Sequence, residues 1–149
     1  MNLVELTQYT NNEESAEAYL REQGILKTFE ECPYCRSKRF NRVRRFKYKC
    51  YSCHREWGVR RGSIIEGLRV PFTKFLIAIK LFEIDTSVRE AAKQLGLAFN
   101  TVYNIHSLIR NAILAADANA SSFSGEIEMD KSYFGGRKKE KLGRGAAGK

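Results

Sequence analysis

The only four cysteines of the chain fall as Cys32-Pro33-Tyr34-Cys35 and Cys50-Tyr51-Ser52-Cys53, two Cys-x-x-Cys pairs with fourteen residues between them. In each pair a tight turn sets two thiols side by side. Two such turns facing each other offer four sulfurs in the tetrahedral arrangement that Zn²⁺ takes. Cys32, Cys35, Cys50 and Cys53 are therefore expected to hold a structural zinc ion. A closed four-thiolate site leaves no position for water or substrate, so its expected role is to hold structure, not to react. The competing readings fit less well. A redox Cys-x-x-Cys normally occurs once, at the start of a helix that follows a strand, and two disulfides suit a secreted chain. His54 follows Cys53 directly, but the thiolates already complete the site, so it is expected at the surface.

Charge is distributed unevenly. The 149 residues carry 26 Lys and Arg against 17 Asp and Glu, for a net charge of +9. Residues 1–30 are acidic, whereas residues 36–49 hold eight basic side chains and no acid: Arg36, Lys38, Arg39, Arg42, Arg44, Arg45, Lys47 and Lys49. Such a block is either a solubilising charge run or a contact surface for a polyanion, and its density on so small a unit favours phosphate contact. Nucleic acid is the expected partner and not a membrane. No apolar run reaches the roughly 18 residues a bilayer span needs, and the start of the chain has no basic leader or lipidation motif. The expected location is the cytoplasm, associated with the nucleoid, where thiols stay reduced and free for zinc.

Along the chain, residues 1–11 show little pattern. Asn12 can cap a helix with Glu13 and Glu14 in its first turn, Ala16, Tyr19 and Leu20 at helical spacing, and Gly24 as its stop. Residues 40–43, 46–50 and 56–59 read as three short strands, with Phe46, Tyr48, Trp57 and Val59 expected to form a small core beside the metal. Pro71 suits the start of a helix carrying Phe72, Phe75, Leu76 and Ile79 at i, i+3, i+4 and i+7, with Ile77, Leu81 and Ile84 beside them. Ser87 and Glu90 then form a capping box ahead of a helix over Val88–Leu95 that stops at Gly96. A turn of Leu97, Ala98 and Phe99 leads to Asn100, the expected cap of a third helix reaching about Ala116. His106 sits in that helix as an ordinary face residue.

A small Ala92, Gly96 four residues later, and apolar Phe99, Val102 and Ile105 behind them, with Ile109 further along, match what a helix-turn-helix requires, although any tight helical hairpin has similar needs. On that reading Asn100, Thr101, Tyr103 and Asn104 form the outward face of the second helix. Asn can pair with adenine N6 and N7, and Thr can meet a thymine methyl or a phosphate. Arg42, Arg44, Arg45 and Lys47 of the basic block are the expected phosphate contacts. Beyond residue 117 a linker runs into Gly125-Glu126-Ile127-Glu128-Met129-Asp130, which alternates like a strand, and then into a Gly- and Lys-rich end.

This order of parts resembles the bacterial insertion-sequence transposases that carry an N-terminal zinc ribbon, a helix-turn-helix and an RNase H-like domain with an acidic triad. The resemblance rests on the two cysteine pairs, on Arg61-Gly62-Ser63-Ile64 leading to Pro71, on residues 92–105, and above all on residues 126–130 before Tyr133-Phe134-Gly135-Gly136. It implies that Asp130 is the first of the metal-binding catalytic carboxylates, with Mg²⁺ or Mn²⁺ as the catalytic ions of a complete site. It also implies that double-stranded DNA at transposon ends is the partner, with homo-oligomers possible in the DNA complex. Two departures accompany it: Lys131 stands where the family usually has an acid, and the sequence stops at Lys149 before a second or third catalytic acid.

The resulting expectation is a multi-module α+β chain. Residues 1–29 form an N-terminal helical segment, 30–66 a three-stranded zinc ribbon, 67–117 a helix-turn-helix domain, and 118–149 a linker with the first strand of a truncated RNase H-like domain. Such a chain would bind DNA without cutting it. The alternatives are a non-catalytic zinc-ribbon DNA-binding regulator or competitor of transposition and, behind it, a ribbon that binds RNA or the ribosome.

Overall fold

The first element is a helix where the sequence had shown little pattern. In the computed structural model, which describes residues 2–119, α1 spans Leu3–Thr10. Its start is a capping box: Asn2 Oδ1 accepts from the Glu5 backbone N–H at 2.7 Å, and the Glu5 carboxylate accepts from the Asn2 N–H at 3.0 Å. Two N–H groups that a helix start leaves bare are thereby satisfied. The Asn2-x-x-Glu5 spacing is the available signal, but the helix is short and, among its described apolar side chains, only Leu6 is deeply buried, which gives periodicity little to show. Helix α2 spans Glu13–Glu22, capped by Asn12 as expected, with Gly24 just beyond it at φ +71°. The rings of Tyr9 and Tyr19 lie 4.3 Å apart and join the two helices.

Strands β1 (Phe40–Arg44), β2 (Lys47–Cys50) and β3 (Glu56–Gly58) form an antiparallel sheet in the order β1-β2-β3. Phe40 pairs with Cys50 and Tyr48 with Trp57, which brings both cysteine pairs to the same end of the sheet. The register slips between Arg42 and Arg44, a bulge that leaves Val43 exposed.

Helix α3 (Phe72–Glu83) follows Pro71, α4 (Val88–Leu95) follows Ser87, and α5 covers Phe99–Asn119. Ser87 Oγ accepts from the Glu90 N–H at 3.3 Å, but only half of the expected box forms. The Glu90 carboxylate turns outward to Gln94 Nε2, 3.0 Å away. Gly96 takes the left-handed conformation at φ +58°, ψ +44°, which a residue with a Cβ adopts only under strain. Helix α5 begins at Phe99, so Asn100 lies inside its first turn and does not cap it. Ile84, expected in the core, is the C-cap of α3 and exposed.

The whole is α+β, with five helices and one three-stranded sheet among the described residues. A single apolar cluster runs from Leu6 through Ala16, Leu20, Leu26, Val59, Ile65, Val70, Phe72, Phe75 and Leu76 to Ala92, Leu95, Val102 and Ile105. It crosses the sequence boundaries drawn at 29/30 and 66/67. One polar contact crosses them too: Glu13 of α2 caps α3, its carboxylate accepting from the N–H groups of Phe72 (2.8 Å) and Thr73 (3.0 Å) and from Thr73 Oγ1 (2.6 Å). Helix α3, which has Pro71 at its N-cap and no capping side chain of its own, takes its cap from a residue some sixty positions earlier. No helix of the described residues is long and apolar enough to cross a membrane.

Candidate metal centre and polar helix face

The cysteine pairs are shaped by two equivalent turns. Arg36 and His54, each directly after the second cysteine of its pair, both sit in the left-handed region, at φ 56° and 57°. In the first turn the Arg36 N–H donates to the Cys32 carbonyl at 2.9 Å, and the Cys32 N–H donates to the Ser37 carbonyl at 2.9 Å. In the second, the Cys50 N–H donates to the Arg55 carbonyl at 3.0 Å, and the Ser52 N–H points at Cys50 Sγ, 3.4 Å away. The hydroxyls of Ser37 and Ser52, 2.8 Å apart, tie the two turns together. His54 is exposed, as expected.

The four sulfurs converge. All lie within 4.8 Å of one another, with Cys32 to Cys53 at 3.7 Å and Cys35 to Cys50 at 3.6 Å. A tetrahedron of thiolates about 2.3 Å from a central Zn²⁺ has edges of about 3.8 Å. The cluster can therefore hold a metal ion, and its dimensions are compatible with zinc. Its electrostatics ask for a cation. Backbone N–H groups of Cys53 and Ser52 draw the Cys50 thiol down to about 6. Cys35, although the Ser37 backbone favours its thiolate, is pushed up to about 12 by burial and by the thiols of Cys53, Cys50 and Cys32. The thiols can share only part of the negative charge unless a metal compensates the rest.

Cys32, Cys50 and Trp57 form the buried centre of a second apolar cluster, ringed by Phe29, Phe40 and Tyr48. Tyr48 stacks on Trp57 at 5.7 Å between centroids, and Phe40 lies 5.3 Å from the same indole. Two residues expected in this small core go elsewhere. Phe46 packs its edge against Phe72, 5.5 Å away, and Val59 joins the main core. The sheet packs on the helices, so it shares their core in place of building all of its own.

The basic block is partly committed. Glu17, only 3% exposed, receives Arg21 at 2.8 Å and Arg42 at 2.7 Å, and Arg42 also donates to the Arg45 carbonyl. Arg45 pairs with Glu14 at 2.9 Å, and Arg44 lies 4.0 Å from Glu56 with most of its side chain in solvent. Lys47 is exposed and forms no ion pair among the described residues. Sequence reasoning placed these side chains at the surface but missed that the acidic face of α2 holds two of them. Matching eight cations to a distant acidic helix requires knowing which side of the sheet that helix covers.

On α5, Val102 and Ile105 are fully buried against α3 and α4, while Asn100, Tyr103 and Asn104 are exposed and Thr101 is half-buried. The structure thus brings these four onto the solvent side of the first turns of α5. Phe99, expected behind the hairpin, is instead exposed at the start of α5 and stacks on Tyr103 at 6.3 Å, and Asn100 and Asn104 make no side-chain hydrogen bond among the described residues. Asp130, and with it Glu126, Glu128 and Lys131, lies outside the described residues.

His106 departs from the expected face residue. It is 2% exposed, its ring edge-on to Phe82 at 5.1 Å, and its Nε2 makes no hydrogen bond among the described residues. Burial, and then the nearby Arg110 charge, hold its pKa below the usual imidazole value. The folded state thus favours neutral His106, whereas the unfolded chain takes up a proton below about pH 6.5. Stability attributable to this residue is complete above that pH and declines as pH falls from there through the lower folded value. Melting curves between pH 7.5 and 5 should show a steeper loss in the wild type than in His106→Leu. Protonation of the four-cysteine cluster at low pH is common to both proteins and cancels in the comparison. Parallel slopes would disprove the assignment.

No protein-family model matches the chain, and no solved structure matches it. The chain is similar to an uncharacterized protein in transposable element ISH50 of Halobacterium salinarum, 27% identical over 107 residues. That alignment takes in 68% of this chain and 35% of the relative, so the chain spans about a third of the length of the curated relative it matches. The similarity links the chain to proteins of insertion-sequence elements.

Proposed function

We propose that this chain carries the DNA-recognition part of a transposase and binds the terminal repeats of an insertion sequence. Its four-cysteine cluster holds a structural zinc ion. The observation that supports this reading most is the α4–Gly96–α5 hairpin. Ala92, Leu95, Val102 and Ile105 lock its two helices together while Asn100, Thr101, Tyr103 and Asn104 stay on the open side of α5. In a helix-turn-helix the second helix enters the major groove by its N-terminal residues, the position these four occupy. The basic ribbon adds phosphate contacts that carry no sequence information, and the insertion-sequence relative agrees with the assignment. Mg²⁺- or Mn²⁺-dependent strand transfer with Asp130 as a ligand belongs to the same proposal, for the complete protein.

The test separates the two kinds of contact. Arg44 and Lys47 are the sound choices for phosphate contact, because substituting Arg42 or Arg45 also breaks the pairs with Glu17 and Glu14. Arg44→Ala with Lys47→Ala should weaken all duplexes alike and flatten the salt slope by about 0.9 per lost phosphate contact. Asn104→Ala should cost about 1–3 kcal/mol on the element's terminal repeats and little on scrambled DNA. Anisotropy titrations over a range of salt decide it, and equal losses on both duplexes for both variants would defeat this division.

A further inference from the structure

Residues 67–71, which link the ribbon to α3, form one wall of an open cleft of about 370 Å³ whose other wall is Leu97, Thr101 and Asn104 of the turn and α5. The linker is held from behind. The Arg60 guanidinium donates to the carbonyls of Leu68 and Val70 and lies 4.3 Å above the Phe72 ring. Leu68 and Val70 pack on the main core, and the extended preference of a residue before proline fixes Val70. Arg69, between these two inward residues, is exposed and has no ion pair or hydrogen bond among the described residues. The acids near it are engaged elsewhere: the Glu66 carboxylate accepts from the Gly62 N–H at 2.7 Å and lies 4.0 Å from Arg61, and Glu13 caps α3. Arg60 is thus a structural arginine, and Arg69 is an uncommitted one on a clamped backbone, sharing a cleft with two residues of the recognition face.

We propose that Arg69 is a second sequence-reading element, contacting a base edge within one or two base pairs of those met by Thr101 and Asn104. This rests on the DNA-binding reading above. Arginine suits the role because its planar fork pairs with guanine O6 and N7, which asparagine does not do. The cleft's mixed lining, with Asn104 and Thr101 opposite a cation, fits a base edge better than it fits the uniform charge of a phosphate track.

The experiment uses the full chain loaded with zinc and a randomised double-stranded DNA library, selected in parallel with the wild type, Arg69→Ala, Arg69→Lys and Asn104→Ala. Arg69→Ala should bind the wild type's selected duplex about 10- to 100-fold more weakly, the loss expected of one good bidentate base contact. It should also lose preference at one or two positions adjacent to those relaxed by Asn104→Ala. Arg69→Lys keeps the charge and stem, so it should retain affinity for scrambled DNA while losing the same positions. The double variant Arg69→Ala with Asn104→Ala should be non-additive, because neighbours that share a contact couple. If Arg69→Ala selects the wild-type sequence with wild-type affinity, weakens selected and scrambled duplexes equally, or relaxes positions remote from those of Asn104, the proposal is overturned and the DNA-binding reading stands. If the wild type enriches no sequence, both fall.

Discussion

Stripping metal from the chain with a strong chelator is expected to melt the ribbon while α3, α4 and α5 keep their helical signal. Around the cysteines the ribbon's own core is only Trp57 and its ring of Phe29, Phe40 and Tyr48, while Phe46 and Val59 pack on the helices and do not brace the cysteine turns. So small a cluster cannot offset the ordering of three strands and two turns without a bound ion. Metal binding in such units contributes on the order of 10 kcal/mol to folding. Trp57 is the only tryptophan and is 3% exposed, so its fluorescence should shift to the red as the ribbon opens. Circular dichroism should show the loss confined mainly to the non-helical signal. Cys50→Ser should reproduce both changes and lower the bound metal below one ion per chain. Unaltered Trp57 emission after verified metal loss would refute the structural role.

The second large effect is expected at Glu17. Its carboxylate lies 3% exposed between Arg21 and Arg42, joining α2 to β1. Glu17→Ala leaves the Arg21 and Arg42 guanidinium groups without the carboxylate that joins them. Breaking a buried pair from one side costs about 3–5 kcal/mol. Arg42 is 40% exposed and can rehydrate, which places the expected loss near the lower end of that range. Glu14 pairs with Arg45 in solvent, so Glu14→Ala should change stability little. Urea midpoints of the zinc-loaded protein measure the difference, and equal midpoints for the two variants would remove the central role given to Glu17. The same result bears on DNA contact, since a weakened Arg42 variant reports lost packing as well as lost charge.

Local signals read from the sequence held where one stretch of chain contains all the partners. The two cysteine pairs specify their own turns, and the strands between them follow from alternation over a few residues. Asn12 before Glu13, Ser87 before Glu90 and Gly96 after Leu95 mark helix ends within four residues of the groups they cap. Helix α1 is legible in principle from Asn2 and Glu5, but an element of eight residues gives periodicity little to work on. Asn100 lies inside α5 and does not cap it, because the turn after Gly96 takes two residues and not three.

The four-cysteine cluster, the three-stranded ribbon, the α3–α4–α5 order and the excess of positive charge are all legible from the amino-acid order, because each depends on spacing within a few residues or on composition alone. What those parts are attached to follows from packing. Glu13 caps α3 from across the chain, Glu17 and Glu14 hold Arg42 and Arg45, Val59 and Phe46 leave the ribbon's own core for the helices, and Arg60 holds the backbone on either side of Arg69. Each of these contacts joins residues from separate elements, and the choice among many chemically equivalent acids, arginines and apolar side chains is made by which surfaces meet when the elements pack.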